Sequence, residues 1–229
     1  TQAPGNVLMY TGYPIHTLGQ IKPGSTAPDK VISLSTLGMN SSVGSVVYVP
    51  AFAPGGGKVK FLAYNGGWWY SAVLSPDGLG TFDILSVINP IGQVGNGPEG
   101  IVYIPTTSAL FSTPSLLLSE YGAGRVSSYN VDSNGDPIAA TRKDFITGLS
   151  GVEGAVLDPV TGQFIFSTYG GGNQVIVVRG FAPPPPCYPN CDGSTSVPIL
   201  NASDFTCFLN QFAAGQSYAN CDGSTTAPI

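Results

Sequence analysis

Three segments of the chain repeat one pattern: VGSVVYVP at 43–50, PEGIVYIP at 98–105 and VEGAVLDP at 152–159. Their closing prolines are 55 and 54 residues apart. After each comes a turn and a second apolar run that ends in a tyrosine-glycine patch: FLAYNGG (61–67), LSEYGAG (118–124) and FSTYGGG (166–172). A third run follows. In two copies it closes on a tight-turn signal, SPDG (75–78) and DSNG (132–135), where Asp-Gly and Asn-Gly supply positive φ angles. A fourth run follows in TFDILSVI (81–88) and ATRKDFI (140–146). Four short antiparallel strands per unit of roughly 40–50 residues predict an all-β body of β-propeller blades, three to four in number, rather than a β-sandwich.

Three repeats are clear, and the third stops near Gly180 without a fourth strand. Residues 1–42 carry NVLMYTG (6–12) and KVISLSTLG (30–38), which are expected to complete the last blade and close a small ring. Failing that, the open sheet edges must pair with another chain.

Composition narrows the function classes. Of 229 residues, 9% are charged, where about 25% is ordinary, and 42% are apolar, enough for a core. The net charge of -5 and the lack of a basic patch argue against nucleic acid. No apolar run approaches the ~18 residues of a membrane span. The opening TQAPGN reads as the start of a mature exported protein.

The stretch FAPPPPCYPNC (181–191) marks a boundary, because Pro183 to Pro186 form a stiff spacer. The expected division is a body at 1–182, a linker at 183–186 and a cysteine-rich tail at 187–229. In the tail, NCDGST occurs at 190–195 and again at 220–225. An EF-hand loop takes oxygen ligands at positions 1, 3, 5, 7, 9 and 12 around a glycine at 6. With Gly193 as that glycine, Asn190 and Asp192 are ligands 3 and 5, and Ser194 offers its carbonyl at 7. Asn201 and Asp204 have the separation of positions 9 and 12. Asn220, Asp222 and Ser224 repeat the first half. Asp204 also opens a predicted helix, with Phe205, Phe208, Leu209 and Phe212 on one apolar face.

The pattern NCDGST…LNxxDFxCFLNxFAAG resembles the tandem, cysteine-rich, dockerin-like calcium repeats that end many secreted Planctomycetes-type bacterial proteins. The resemblance covers about 40 residues. It implies export and a tail folded around calcium, and no particular activity. The chain departs from the pattern in having Tyr188 and Tyr218 at position 1. It also has about five extra residues before Asn201, and its second unit stops at Ile229. The four cysteines, Cys187, Cys191, Cys207 and Cys221, are spaced 4, 16 and 14 apart with no histidine nearby, which favours disulfides over zinc. Three pairings are open. Cys207 points away from the helix's apolar face and is expected to bond to a neighbouring segment.

Catalytic signals are sparse. His16, the sole histidine, reads as a surface loop residue. Glu99 and Glu153 hold the same repeat position, where the first repeat has Gly44. They read either as structural carboxylates that accept blade-connecting N–H groups, or as a metal or substrate site at the axis, as in lactonase-type propellers. Trp68 and Trp69 either stack sugars or divide between the core and a blade interface. The expected function is a non-enzymatic extracellular homopolymer, joined by exchange of terminal segments and stabilised by calcium and disulfides. The alternative is a secreted, lactonase-like propeller enzyme or a glycan-binding protein.

Overall fold

The computed structural model describes residues 1–106, 108, 110–158, 161–181, 191 and 201–215. The chain forms four small antiparallel sheets arranged as a four-blade β-propeller, with a short helix towards the C-terminus. Blade 1 holds β1 (Gln2–Ala3), β2 (Val7–Gly12), β3 (Thr17–Ile21) and β4 (Lys30–Ser33). Blade 2 holds β5 (Val43–Tyr48), β6 (Val59–Ala63), β7 (Trp68–Pro76) and β8 (Phe82–Gln93). Blade 3 holds β9 (Pro98–Tyr103), β10 (Ser115–Glu120), β11 (Arg125–Asn130) and β12 (Lys143–Ile146). Blade 4 holds β13 (Val152–Leu157), β14 (Phe164–Thr168) and β15 (Val175–Val178). Each blade is a meander in which every strand pairs with the next in sequence.

The three repeated segments are β5, β9 and β13, the inner strands. Residues 1–42 do not complete the last blade. Their strands pair among themselves, from Ala3↔Val7 and Tyr10↔Gly19 to Leu18↔Ile32, and make a blade of their own. Short connections keep these partners adjacent, so the ladder is satisfied locally. Blade 4 therefore has three strands among the described residues.

Alternation within each strand joins the blades. Successive side chains point to opposite faces, so one strand feeds two interfaces. On β6, Phe61 and Ala63 pack towards Val7, Met9 and Leu18 of blade 1, while Leu62 packs with Ile101, Leu116 and Leu118 of blade 3. Between blades 3 and 4, Val102, Leu117 and Val126 meet Val152, Phe164 and Phe166. Each fully buried Val, Leu or Phe contributes about 1.5–3 kcal/mol. Polar bridges fix the register. The Gln20 side-chain amide exchanges two hydrogen bonds with the Phe82 backbone, at 2.7 and 2.9 Å, and Lys30 pairs with Asp77 and Asp83. The DSNG turn forms as expected: Gly135 has φ +77°, and Asp132 Oδ1 accepts the Asn134 and Asp136 N–H groups.

The tail helix α1 (Ala202–Ala213) starts two residues before Asp204, the predicted opening residue, with Asn201 as its N-cap. Cys207 on it is bonded to Cys191, with Cα atoms 5.6 Å apart. On the apolar face of α1, Phe208 stacks on Phe212 at 6.3 Å, and Phe205, Leu209 and Phe212 are exposed. Among the described residues no helix is long and apolar enough to cross a membrane. The proline linker lies outside them.

Candidate functional site at the propeller cleft

The inner strands β5, β9 and β13, with β2 and Thr1, line a cleft of about 680 Å³. That is within the usual range for a small-ligand site, roughly 300–1,000 Å³. Each inner strand carries a bulge at the same place, where its register shifts: between Val43 and Ser45, opposite Leu118–Glu120, and between Val152 and Ala155. A bulge re-aims a side chain out of the ladder. Here the re-aimed positions are Gly44, Glu99 and Glu153, and both carboxylates line the cleft.

Gly44 explains why the carboxylate series skips blade 2. A Cβ added to Gly44 would lie 2.9 Å from Glu99 Oε2 and 3.0 Å from the Pro98 carbonyl oxygen. Glu99 folds over the glycine and occupies the space a side chain there would need. Gly100 has a matching role, since a Cβ there would sit 2.3 Å from the Glu153 carbonyl oxygen. This lets the backbones of β9 and β13 touch and brings the two glutamates within electrostatic reach.

Burial is the main cause that raises the Glu99 carboxyl, to about 7, and the negative charge of Glu153 adds to it. Near neutral pH the Glu99 carboxyl is therefore partly protonated. Neither carboxylate is hydrogen-bonded or ion-paired among the described residues. The expected structural-carboxylate role belongs instead to Glu120. It is fully buried, accepts the Asn96 N–H at 3.0 Å, and pairs with Arg125 at 3.0 Å and Arg142 at 3.4 Å. Outside the residues that line the cleft runs a row of rings, with Tyr13 to Tyr64 at 5.3 Å and Tyr64 to Tyr121 at 6.1 Å. Burial raises the Tyr64 hydroxyl, with smaller contributions from Tyr13, Glu99, Tyr121 and Glu153. Tyr64 and Tyr121 come from the tyrosine-glycine patches that the repeat marked, and Tyr13, which follows β2, was not among them.

The other candidates separate. His16 is buried, not on the surface. Its Nδ1 accepts the Val43 N–H at 3.2 Å and clips blade 1 to β5, which leaves Nε2 without a partner. Trp69 is buried between blades 2 and 3, and Trp68 packs half-buried towards blade 1, so the pair is split between two interfaces and offers no sugar platform. In the tail, Asn201 Oδ1 accepts the Ser203 N–H at 2.7 Å, and Asp204 Oδ2 accepts the Asn201 N–H at 2.8 Å. This is a capping box made by two predicted calcium ligands. Both are hard oxygen donors suited to calcium. Asn190, Asp192, Ser194, Asn220, Asp222, Ser224, Cys187 and Cys221 lie outside the described residues.

No family model and no curated protein matches this chain. Among solved structures, it is similar to a candidate gluconolactonase at 17% identity and TM-score 0.45, covering 78% of this chain and 58% of that one. It is also similar to a candidate 6-phosphogluconolactonase of Bacteroides uniformis, at 13% identity and TM-score 0.45, covering 76% and 50%. The chain thus spans only 50–58% of the length of these neighbours. Neither likeness is close enough to carry an activity across.

Proposed function

We propose that the protein is an exported binding protein whose propeller cleft holds a divalent cation between Glu99 and Glu153. The observation that carries this reading is the pair of bulged, unpaired carboxylates at equivalent positions of adjacent blades. Carboxylate oxygens are hard donors of the kind that calcium takes with several waters. Binding rather than turnover is favoured, because the imidazole, the usual general base, is committed to the Val43 backbone. Calorimetric titration with calcium tests the reading. Glu99→Gln should abolish the cleft heat, and Asp204→Asn should leave it. An unchanged titration for Glu99→Gln would sink the idea.

A second reading, the extracellular homopolymer with a calcium- and disulfide-stabilised tail, is supported by the three-stranded blade 4. The outer edge of β15 pairs with no strand among the described residues, and such an edge is a template for a strand from another chain. Sedimentation of the full chain in calcium tests it, and a strictly monomeric profile would defeat it.

A further inference from the structure

The blades form an open arc. Buried cores join blade 1 to 2, 2 to 3 and 3 to 4, but among the described residues none joins 4 to 1. The repeat shows what the two free flanks are. Counting back three residues from the tyrosine after each second strand gives Tyr10, Phe61, Leu118 and Phe166, all on the face turned to the preceding blade. The last three are 0% exposed, whereas Tyr10 is 37% exposed. Five residues back, Val59, Leu116 and Phe164 are buried, while Leu8 is 48% exposed. The face turned to the following blade behaves the same way at the other end. Leu18, Trp69 and Val126, each paired to the residue two before that tyrosine, are buried. Their counterpart Val175 is 71% exposed. Val156, the counterpart of buried Val47 and Val102, is exposed as well.

We propose that these two flanks pack on each other between two copies of this chain and close a single ring of eight blades. The mate of a following-face is already known from three interfaces in this molecule: it is the preceding-face of a blade. The free preceding-face in this chain is that of blade 1. Each copy therefore carries both halves of one further interface of the same kind. A two-fold axis satisfies both halves at once, because blade 4 of each copy meets blade 1 of the other. Eight blades fall within the ~4–8 that propellers use. Neither flank places a charge among the positions named, so no ionic repulsion opposes the contact. This deepens the assembly reading above, but joins faces rather than exchanging strands at edges, and it closes where a filament does not.

The test is sedimentation of the full chain over a wide concentration range, with Leu8→Asp and Val175→Asp. Both positions are exposed in the single chain, so each variant should keep the wild-type melting temperature and circular dichroism. The wild type should sediment at twice the chain mass and stay there as concentration rises. Each variant alone should sediment at half that mass. An equimolar mixture of the two should recover a dimer through its one intact interface. A monomeric wild type overturns both the ring and the assembly reading. A mass that grows past two, or a dimer that survives both substitutions, overturns the ring and leaves strand exchange as the route to assembly.

Discussion

Trp69 Nε1 donates to Asp136 Oδ1 at 2.7 Å, across the boundary between blades 2 and 3. The same oxygen receives the ammonium of Lys60, which is fully buried and also donates to Ser71 Oγ at 3.1 Å. A carboxylate from a blade 3 turn is thus held inside blade 2.

Breaking this bridge from one side leaves a buried charge without its partner. Asp136→Ala should destabilise the protein by about 3–5 kcal/mol in urea unfolding. Trp69→Phe keeps a smaller aromatic ring and removes one charge-assisted donor, and should cost at least about 1.5–3 kcal/mol. Equal losses for both would mean that the ring's packing, not the ion pair, joins these blades.

The raised Glu99 carboxyl links stability to pH. The folded state holds the Glu99 proton up to about 7, and the unfolded chain releases it near the ordinary 4.5. Between these values the folded state binds more protons, so stability falls as pH rises from about 4.5 to 7 and levels off above. Discounted for the partial exposure of Glu99, the drop should be about 1–2 kcal/mol. Glu99→Gln should flatten this segment of the melting curve against pH. A slope that persists in the variant would assign the proton elsewhere.

The Cys191–Cys207 bond closes a loop of 16 residues, worth about 3 kcal/mol of restricted unfolded-chain entropy. Cys207→Ser should leave the propeller's melting unchanged while making α1 a target for limited proteolysis. Cleavage in the blades instead would show that the tail supports the body.

Calcium should protect residues 187–229 from protease, since a ligand that binds only the folded form stabilises it by about 2.7 kcal/mol at a hundredfold excess over Kd. Asn201→Ala should cost about 1 kcal/mol of helix stability through the lost cap, with or without calcium. Asp204→Asn should in addition abolish the calcium-dependent part of the protection. Chelator that leaves protease resistance unchanged would remove the tail site.

Periodicity is what made the blades readable. β5, β9 and β13 share an apolar run closed by proline, and each second strand ends in tyrosine and glycine. Blade 1 escaped because its inner strand is two residues long and carries no such run, and because Tyr13 after its second strand is followed by Pro14, not glycine. Glu99 and Glu153 were recognisable by register. Their want of partners was not, since it depends on Arg125 and Arg142 choosing Glu120. Lys60 and Asp136 stand 76 residues apart with no motif between them. His16 looked like a loop residue, and its burial arises from Val43 of the next blade.

The open arc also sets how the chain should come together in time. Among the described residues the buried cores join each blade only to its sequence neighbours, so a blade can dock on its predecessor as soon as it leaves the ribosome. In the Leu8→Asp variant, which keeps the chain single, backbone amides should then exchange most slowly in blades 2 and 3, which are flanked on both sides, and fastest in the two end blades. In this respect the single chain behaves as a short one-dimensional stack that frays from its ends.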